Sequence, residues 1–249
     1  MSGHSKWSTI KHKKAALDAK RGKAWSKHAR AVTMAAKMGG NPADNPRLRL
    51  AIDKAKADNM PKDTIEKAIN KGTGDLAGES YEEILYEGYG HGGVAVMCKV
   101  LTDNRNRTAG EIKKIFERAG ASLGQPNCVA FQFSQKGVIV VPREAAGEER
   151  MMEIALEAGA DDVQTSAEIH EVTCTPDRFH EVKQNLESAG VTLQSADLLM
   201  VAENNISLDL ATARKVRRLI EALDDHDDVE AVYSNSDISD EVMAELAKE

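Results

Sequence analysis

The first forty residues carry chemistry that the rest of the chain lacks. Ten Lys/Arg stand there against one acid, Asp18, so the segment is +9. The whole chain is −7, and residues 41–249 therefore carry −16. Both tryptophans, Trp7 and Trp25, fall in the same segment. Cations interleaved with flat aromatics suit a nucleic acid: the charges meet phosphates and the rings stack on bases. The expected contact residues are Lys6, Trp7, Lys11, Lys13, Lys14, Lys20, Arg21, Lys23, Lys27 and Arg30. The competing reading is a solvated basic helix whose tryptophans serve as core.

A second dense stretch is Thr102-Asp-Asn-Arg-Asn-Arg-Thr108, at an expected strand-to-helix turn. Unpaired backbone N–H groups and the helix dipole favour an anion there. Arg105 and Arg107 would complete a phosphate site. Alternatively, they pair with carboxylates of this acidic half. The run Asp224-Asp-His-Asp-Asp228 has the composition of a cation site, but ligation needs donors converging from a shaped loop. It reads more simply as a solvated turn, and no metal site is expected. Gly88-Tyr-Gly-His-Gly-Gly93 contains G-x-G-x-x-G, yet an expected strand follows where a dinucleotide fold needs a helix. It reads as a loop between strands, and no cofactor is expected. His4, His12 and His28 lie among lysines, which disfavours both protonation and metal capture. No nucleophile elbow, Walker loop or paired catalytic signature is present, so no catalytic residue is assigned and the chain is not expected to be an enzyme. The three cysteines, Cys98, Cys128 and Cys174, are scattered, which fits a reducing cytoplasm. No run approaches a membrane span, and the basic start lacks the apolar stretch of a secretion signal.

The elements that must position these groups follow from periodicity. Residues 15–38 read as a helix with Trp25, Ala29, Val32 and Ala36 on one face and Lys20, Lys23, Lys27 and Arg30 nearly opposite. Asn45-Pro46 opens a second helix, with Leu48, Ala51, Ile52 and Ala55 inward. Pro61 opens a third, carrying Ile65, Ala68 and Ile69 and ended by Gly72. Strands follow at 82–89 and 93–101, then a helix at 107–119 opened by a Thr108-x-x-Glu111 capping box, then a strand at 128–133. Residues 137–202 repeat the alternation as β-α-β-β-α-β, the ferredoxin-like order. A helix around Val216–Leu223, a strand at Val229–Tyr233 and a short helix at 239–247 close the chain.

Gly3-His-Ser-Lys-Trp7 with Ile10-Lys-His-Lys-Lys14 resembles the N-terminal signature of the YebC/PmpR family. So do Asn45-Pro-Arg-Leu-Arg49, Asn59-Met-Pro-Lys-Asp63, Tyr86-Glu-Gly-Tyr-Gly90, the run at 102–108 and Tyr233-Ser-Asn235. The resemblance runs from end to end. It departs at His91, where the family usually has proline, and at Gly124-Gln-Pro-Asn-Cys128, a turn usually richer in glycine and serine. It implies an α+β multidomain fold: a basic helical domain at 1–75, a discontinuous α+β domain at 76–134 and 206–249, and a ferredoxin-like domain inserted at 135–205. Such proteins are described as cytoplasmic DNA-binding transcriptional regulators. Mitochondrial relatives resemble translational activators, and bacterial relatives are linked to stalled ribosomes. The resemblance thus implies DNA or ribosomal RNA as partner, with no membrane and no small-molecule cofactor. Two alternatives stand beside transcriptional regulation. One is a translation factor that binds ribosomal RNA. The other is an enzyme with Asp103, Arg105 and Arg107 at the mouth of a cleft.

Overall fold

The computed structural model describes residues 21–76 and 80–246. Its α+β chain divides into two compact units. Residues 21–76, 80–130 and 209–234 belong to one; residues 131–208 and 235–246 belong to the other.

The first unit begins with three helices: α1 (Arg21–Ala36), α2 (Pro46–Ala57) and α3 (Lys62–Thr73). Their apolar stripes meet in a core of Val32, Ala35, Leu48, Ile52, Ala55, Met60, Ile65 and Ala68, with Trp25 packed at its edge. Asn45 sets the α1–α2 corner. Its side chain accepts from Leu48 N–H at 3.0 Å, capping α2, and donates to the Ala35 and Gly39 carbonyls at 2.8 Å each. Gly72 does not end α3, as its type suggests. It lies inside the helix, and a Cβ there would overlap the Thr33 carbonyl and the Ala36 methyl of α1. The missing side chain lets the two helices approach, and Thr33 Oγ1 donates across them to Ala68 O at 3.1 Å. Gly74, at φ 88°, supplies the left-handed cap instead.

The same unit then builds an antiparallel sheet. Strand β1 (Glu82–Tyr89) pairs with β2 (Ala95–Thr102) in a register that sets Tyr86 opposite Cys98. Helix α4 (Arg105–Arg118) follows, then the two-residue β3 (Ser122–Leu123) beside β1. The chain returns after the second unit as α7 (Leu210–Asp224) and β9 (Val229–Ser234), the latter on the far side of β2. The order is β3-β1-β2-β9. Helices α4 and α7 bury Ile112, Phe116, Val216, Leu219 and Leu223.

Two local expectations fail here. The Thr108 capping box does not open α4. Asn104 does, accepting from Arg107 N–H at 3.1 Å, because the Thr108 hydroxyl is buried in a different hydrogen-bond system. Nor is 128–132 a strand. The buried Glu87 carboxylate takes the N–H groups of Asn127, Val129 and Ala130 at 2.7–2.8 Å, so they cannot serve a ladder.

The second unit contains β4 (Phe133–Pro142), α5 (Glu148–Ala158), β5 (Asp162–Thr165), β6 (Ile169–Cys174), α6 (Phe179–Ser188) and β7 (Ser195–Ala202). All strand pairs are antiparallel in the order β5-β6-β4-β7, the ferredoxin-like arrangement. Met151, Ile154, Val182 and Leu186 form the helix side of its core with Ile139 and Val172. A parallel pair, β8 (Ile206–Ser207) with β10 (Ser236–Asp237), and α8 (Asp240–Leu246) complete the unit.

Candidate nucleic-acid interface

Of the expected contacts, Lys6, Trp7, Lys11, Lys13, Lys14 and Lys20 lie outside the described residues. Arg21 and Lys23 stand in the first turn of α1. Beyond that turn the basic face is already engaged. Lys27 Nζ donates to Asp224 O at 2.6 Å, and Arg30 Nη1 donates to Asp227 O at 2.5 Å. Arg30 also reaches Asp228 Oδ1 at 3.3 Å, and its guanidinium lies 6.0 Å from the Tyr81 ring centre. At these two positions the cations face carbonyl and carboxylate partners within the chain. Carbonyls at the C-terminus of α7 carry partial negative charge, and an aspartate run follows them. That combination takes up the two side chains. The apolar edge of α1 behaves as its periodicity predicts: Trp25 packs on the helical core and its Nε1 donates to Asp58 O at 3.0 Å.

Asp228 is the centre of this part of the unit. Its side chain is 6% exposed, and Oδ2 accepts from Thr108 Oγ1 at 2.6 Å, Arg107 at 2.8 Å and Thr102 Oγ1 at 3.1 Å. Its own carbonyl accepts from Leu101 N–H at 2.8 Å. Burial pushes the carboxyl pKa up, but the Thr108, Arg107 and Thr102 hydrogen bonds outweigh it and hold the group below its ordinary value. Arg107 is shifted the opposite way, further up, by Asp228 and then Asp103. Next to Asp228, His226 Nδ1 accepts from Asp228 N–H at 3.1 Å, which leaves Nε2 to donate to Glu111 at 2.9 Å.

This geometry bears on both stretches singled out in the sequence. Arg107 gives its guanidinium to Asp228 and Asp103, and Asn104 occupies the first-turn N–H. Arg107 is therefore tied to carboxylates. Arg105, the first residue of the same helix, is exposed. The aspartate run is a solvated turn only in part: Asp225 and Asp227 are exposed, but the run also receives Lys27 and Arg30 and buries its last member. An open cleft of about 540 Å³ lies between these groups. Its walls hold Asp103, Glu111, Asp225, Asp227 and Asp228 against Arg30, Arg107 and His226, so it is no anion pocket. The glycine loop joins β1 to β2 through a single turn, His91–Gly93, as a strand–strand connection should. His91 fixes it by a 2.8 Å contact of Nε2 with Ala119 O at the end of α4.

Sequence reasoning missed Asp228, Thr102 and Thr108 as a group, since 120 residues separate Thr108 from Asp228. It also missed Arg214-Lys-Val-Arg-Arg218, which periodicity alone could have marked as cations around a buried Val216.

A basic helical segment ahead of an α+β unit, with a ferredoxin-like sheet set into that unit's sequence, defines a multidomain class of protein. Residues 5–75 match the TACO1/YebC protein N-terminal domain, and residues 81–236 match the TACO1/YebC second and third domain. The chain belongs to the TACO1/YebC family. Among its relatives, a protein of Rubrobacter xylanophilus is 55% identical over 250 residues, covering 99% of this chain and all of that one. One of Geobacter sulfurreducens is 52% identical over 247 residues, with 99% and 100% covered. Both are named "Probable transcriptional regulatory protein". The crystal structure of the conserved hypothetical protein Aq1575 from Aquifex aeolicus superposes with a TM-score of 0.82 at 45% identity, over 90% of this chain and 93% of that one.

Proposed function

We infer that this protein is a non-enzymatic, nucleic-acid-binding regulator of gene expression acting in the cytoplasm, and that it binds through its basic N-terminal segment. The observation that carries this reading is the charge division: +9 in residues 1–40 against −16 in the remainder. A polyanion is drawn to one end of such a chain and repelled by most of the rest. The names of its relatives point to transcription, which makes DNA the first partner to test.

One feature favours RNA, as in a ribosome-bound translation factor. The first forty residues contain no Asn and no Gln, the side chains that pair with adenine edges in the major groove. Phosphate charge and shape then dominate, and these suit folded RNA. Crosslinking in cells followed by sequencing of the bound nucleic acid separates the two: promoter DNA supports transcription, ribosomal RNA supports translation. With Lys27 and Arg30 occupied, four to six phosphate contacts remain among the other cations. The segment's own share of the log–log salt slope is then roughly −3 to −5. A flat salt response would refute phosphate binding by this segment.

A further inference from the structure

We propose that helices α4 and α7 form a second phosphate-binding face, so that nucleic acid is held at two places on the chain. The inference rests on the reading above and extends it to residues outside the basic segment. Residues 76–249 contain sixteen Lys/Arg and thirty-three Asp/Glu. Nine of the sixteen cations fall on these two helices, against four acids, Glu111, Glu117, Glu221 and Asp224. The pair is thus +5 within a stretch that is otherwise −22.

The two helices are neighbours in the first unit, and α4 begins beside the loop that leaves α7. At that shared end the charges are matched, Arg107 with Asp228 and His226 with Glu111. Further along they are not. Lys114 and Arg118 late on α4, and Lys215 and Arg218 in the middle of α7, are all exposed and form no ion pair with any described residue. Each lies roughly 9 Å or more along its helix from the acidic end.

Helix stability does not account for this pattern. Lys114 with Arg118 and Arg214 with Arg218 are like charges at i,i+4; Lys215 with Arg218 and Arg214 with Arg217 are like charges at i,i+3. Such pairs destabilise a helix. No cation of α7 lies in its last turn, where the macrodipole would favour it. Only Arg118, in the last turn of α4, is favoured by the dipole. A basic face maintained against local stability fits a polyanionic partner. None of the exposed large apolar side chains among the described residues lies on either helix. A bilayer would need such side chains to insert, whereas a phosphate backbone needs only charge.

The test compares three full-length proteins, and one charge-keeping control, on a short DNA duplex and a short RNA hairpin. They are the wild type, the helix variant Lys114→Gln/Arg118→Gln/Lys215→Gln/Arg218→Gln, and the segment variant Lys11→Gln/Lys13→Gln/Lys14→Gln. The helix variant should melt no lower than the wild type, since like-charge repulsion is removed. It should lose at least about tenfold in affinity, with a salt slope shallower by about 3 to 4. A charge-keeping control, Lys114→Arg/Lys215→Arg, should bind as the wild type does. Unchanged affinity and slope in the helix variant, with only the segment variant impaired, overturns the second face and leaves the first reading intact. A wild type that binds neither probe overturns both. Helix-dependent capture by phosphatidylserine vesicles, with nucleic-acid binding untouched, assigns the face to a membrane and overturns the proposal.

Discussion

Replacing Asp228 by alanine should be among the most damaging single changes in the first unit. The substitution removes the acceptor for three donors on Oδ2 and the Arg30 contact on Oδ1. Thr102 and Thr108 are both fully buried, and each keeps part of its bonding without Asp228. Their hydroxyls lie 2.8 Å apart, and with Asp228 gone Thr108 can turn its one proton to Asn104 O, 3.1 Å away. The Arg107 side chain is 43% exposed, so water takes over much of its lost pairing. Arg30 is 21% exposed and recovers less. Breaking a buried, hydrogen-bonded charge system costs about 3–5 kcal/mol, and the partial exposure of Arg107 argues for the lower part of that range. Asp228→Asn keeps an acceptor for Thr108 but turns an amide toward two guanidiniums, and should cost about half as much. Urea unfolding of the two variants, with the wild type alongside, measures both. The pH dependence follows from the depressed carboxyl pKa. Asp228 contributes stability above its unfolded value of about 3.9, and the contribution disappears as pH falls through the lower folded value. The wild-type excess over Asp228→Ala should thus be constant at neutral pH and shrink below about pH 4. A loss under about 1 kcal/mol at pH 7, or an excess that persists in acid, would refute the central role given to this carboxylate.

Three further outcomes follow from the packing. Gly72→Ala should destabilise the helical region by about 1–3 kcal/mol, although alanine is the better helix former, because the new methyl meets the Thr33 carbonyl and Ala36; thermal melting measures it. Glu87→Gln should keep the sheet but free the 124–130 segment, since its N–H groups lose a charged acceptor; the expected reading is faster limited proteolysis there, at about 1–3 kcal/mol of stability. Cys174 is buried and its thiol is pushed up to about 11, chiefly by that burial, so at pH 8 a thiol reagent should modify the partly exposed Cys128 first and reach Cys174 only on unfolding.

The elements were largely legible in the residues, for reasons that vary along the chain. Asn45-Pro46 and Pro61 place helix starts because cap and ring geometry act locally. The β-α-β-β-α-β cycle was legible because each of its helices and strands has its own period and both helices stop at a glycine, Gly159 and Gly190. Legibility failed where a distant side chain decides a local choice. The 127–130 backbone would read as a strand but for Glu87, forty residues away. The Thr108 capping signal is correct as a spacing, yet Asp228 claims the hydroxyl from 120 residues away. The candidate interface was legible only as charge. Composition locates the cations of α1, but it does not reveal that Lys27 and Arg30 face the 224–228 loop, 197 residues on in each case.

That pairing changes how any charge-reversal experiment on α1 has to be read. Lys27→Glu and Arg30→Glu would each remove a possible phosphate contact. They would also set new carboxylates against Asp224, Asp227 and Asp228, where α1 meets the end of α7. Loss of binding in such a variant would report a displaced helix as readily as a lost contact. Neutral glutamine at the same two positions avoids the repulsion and leaves only the lost hydrogen bonds. The salt slope then distinguishes the causes, because it counts phosphates neutralised and is blind to a uniform weakening of the fold. Side chains already spent on Asp224, Asp227 and Asp228 should leave the slope where it was. Cations that meet phosphate, in the segment before Lys27 or on α4 and α7, should each lower its magnitude by close to one.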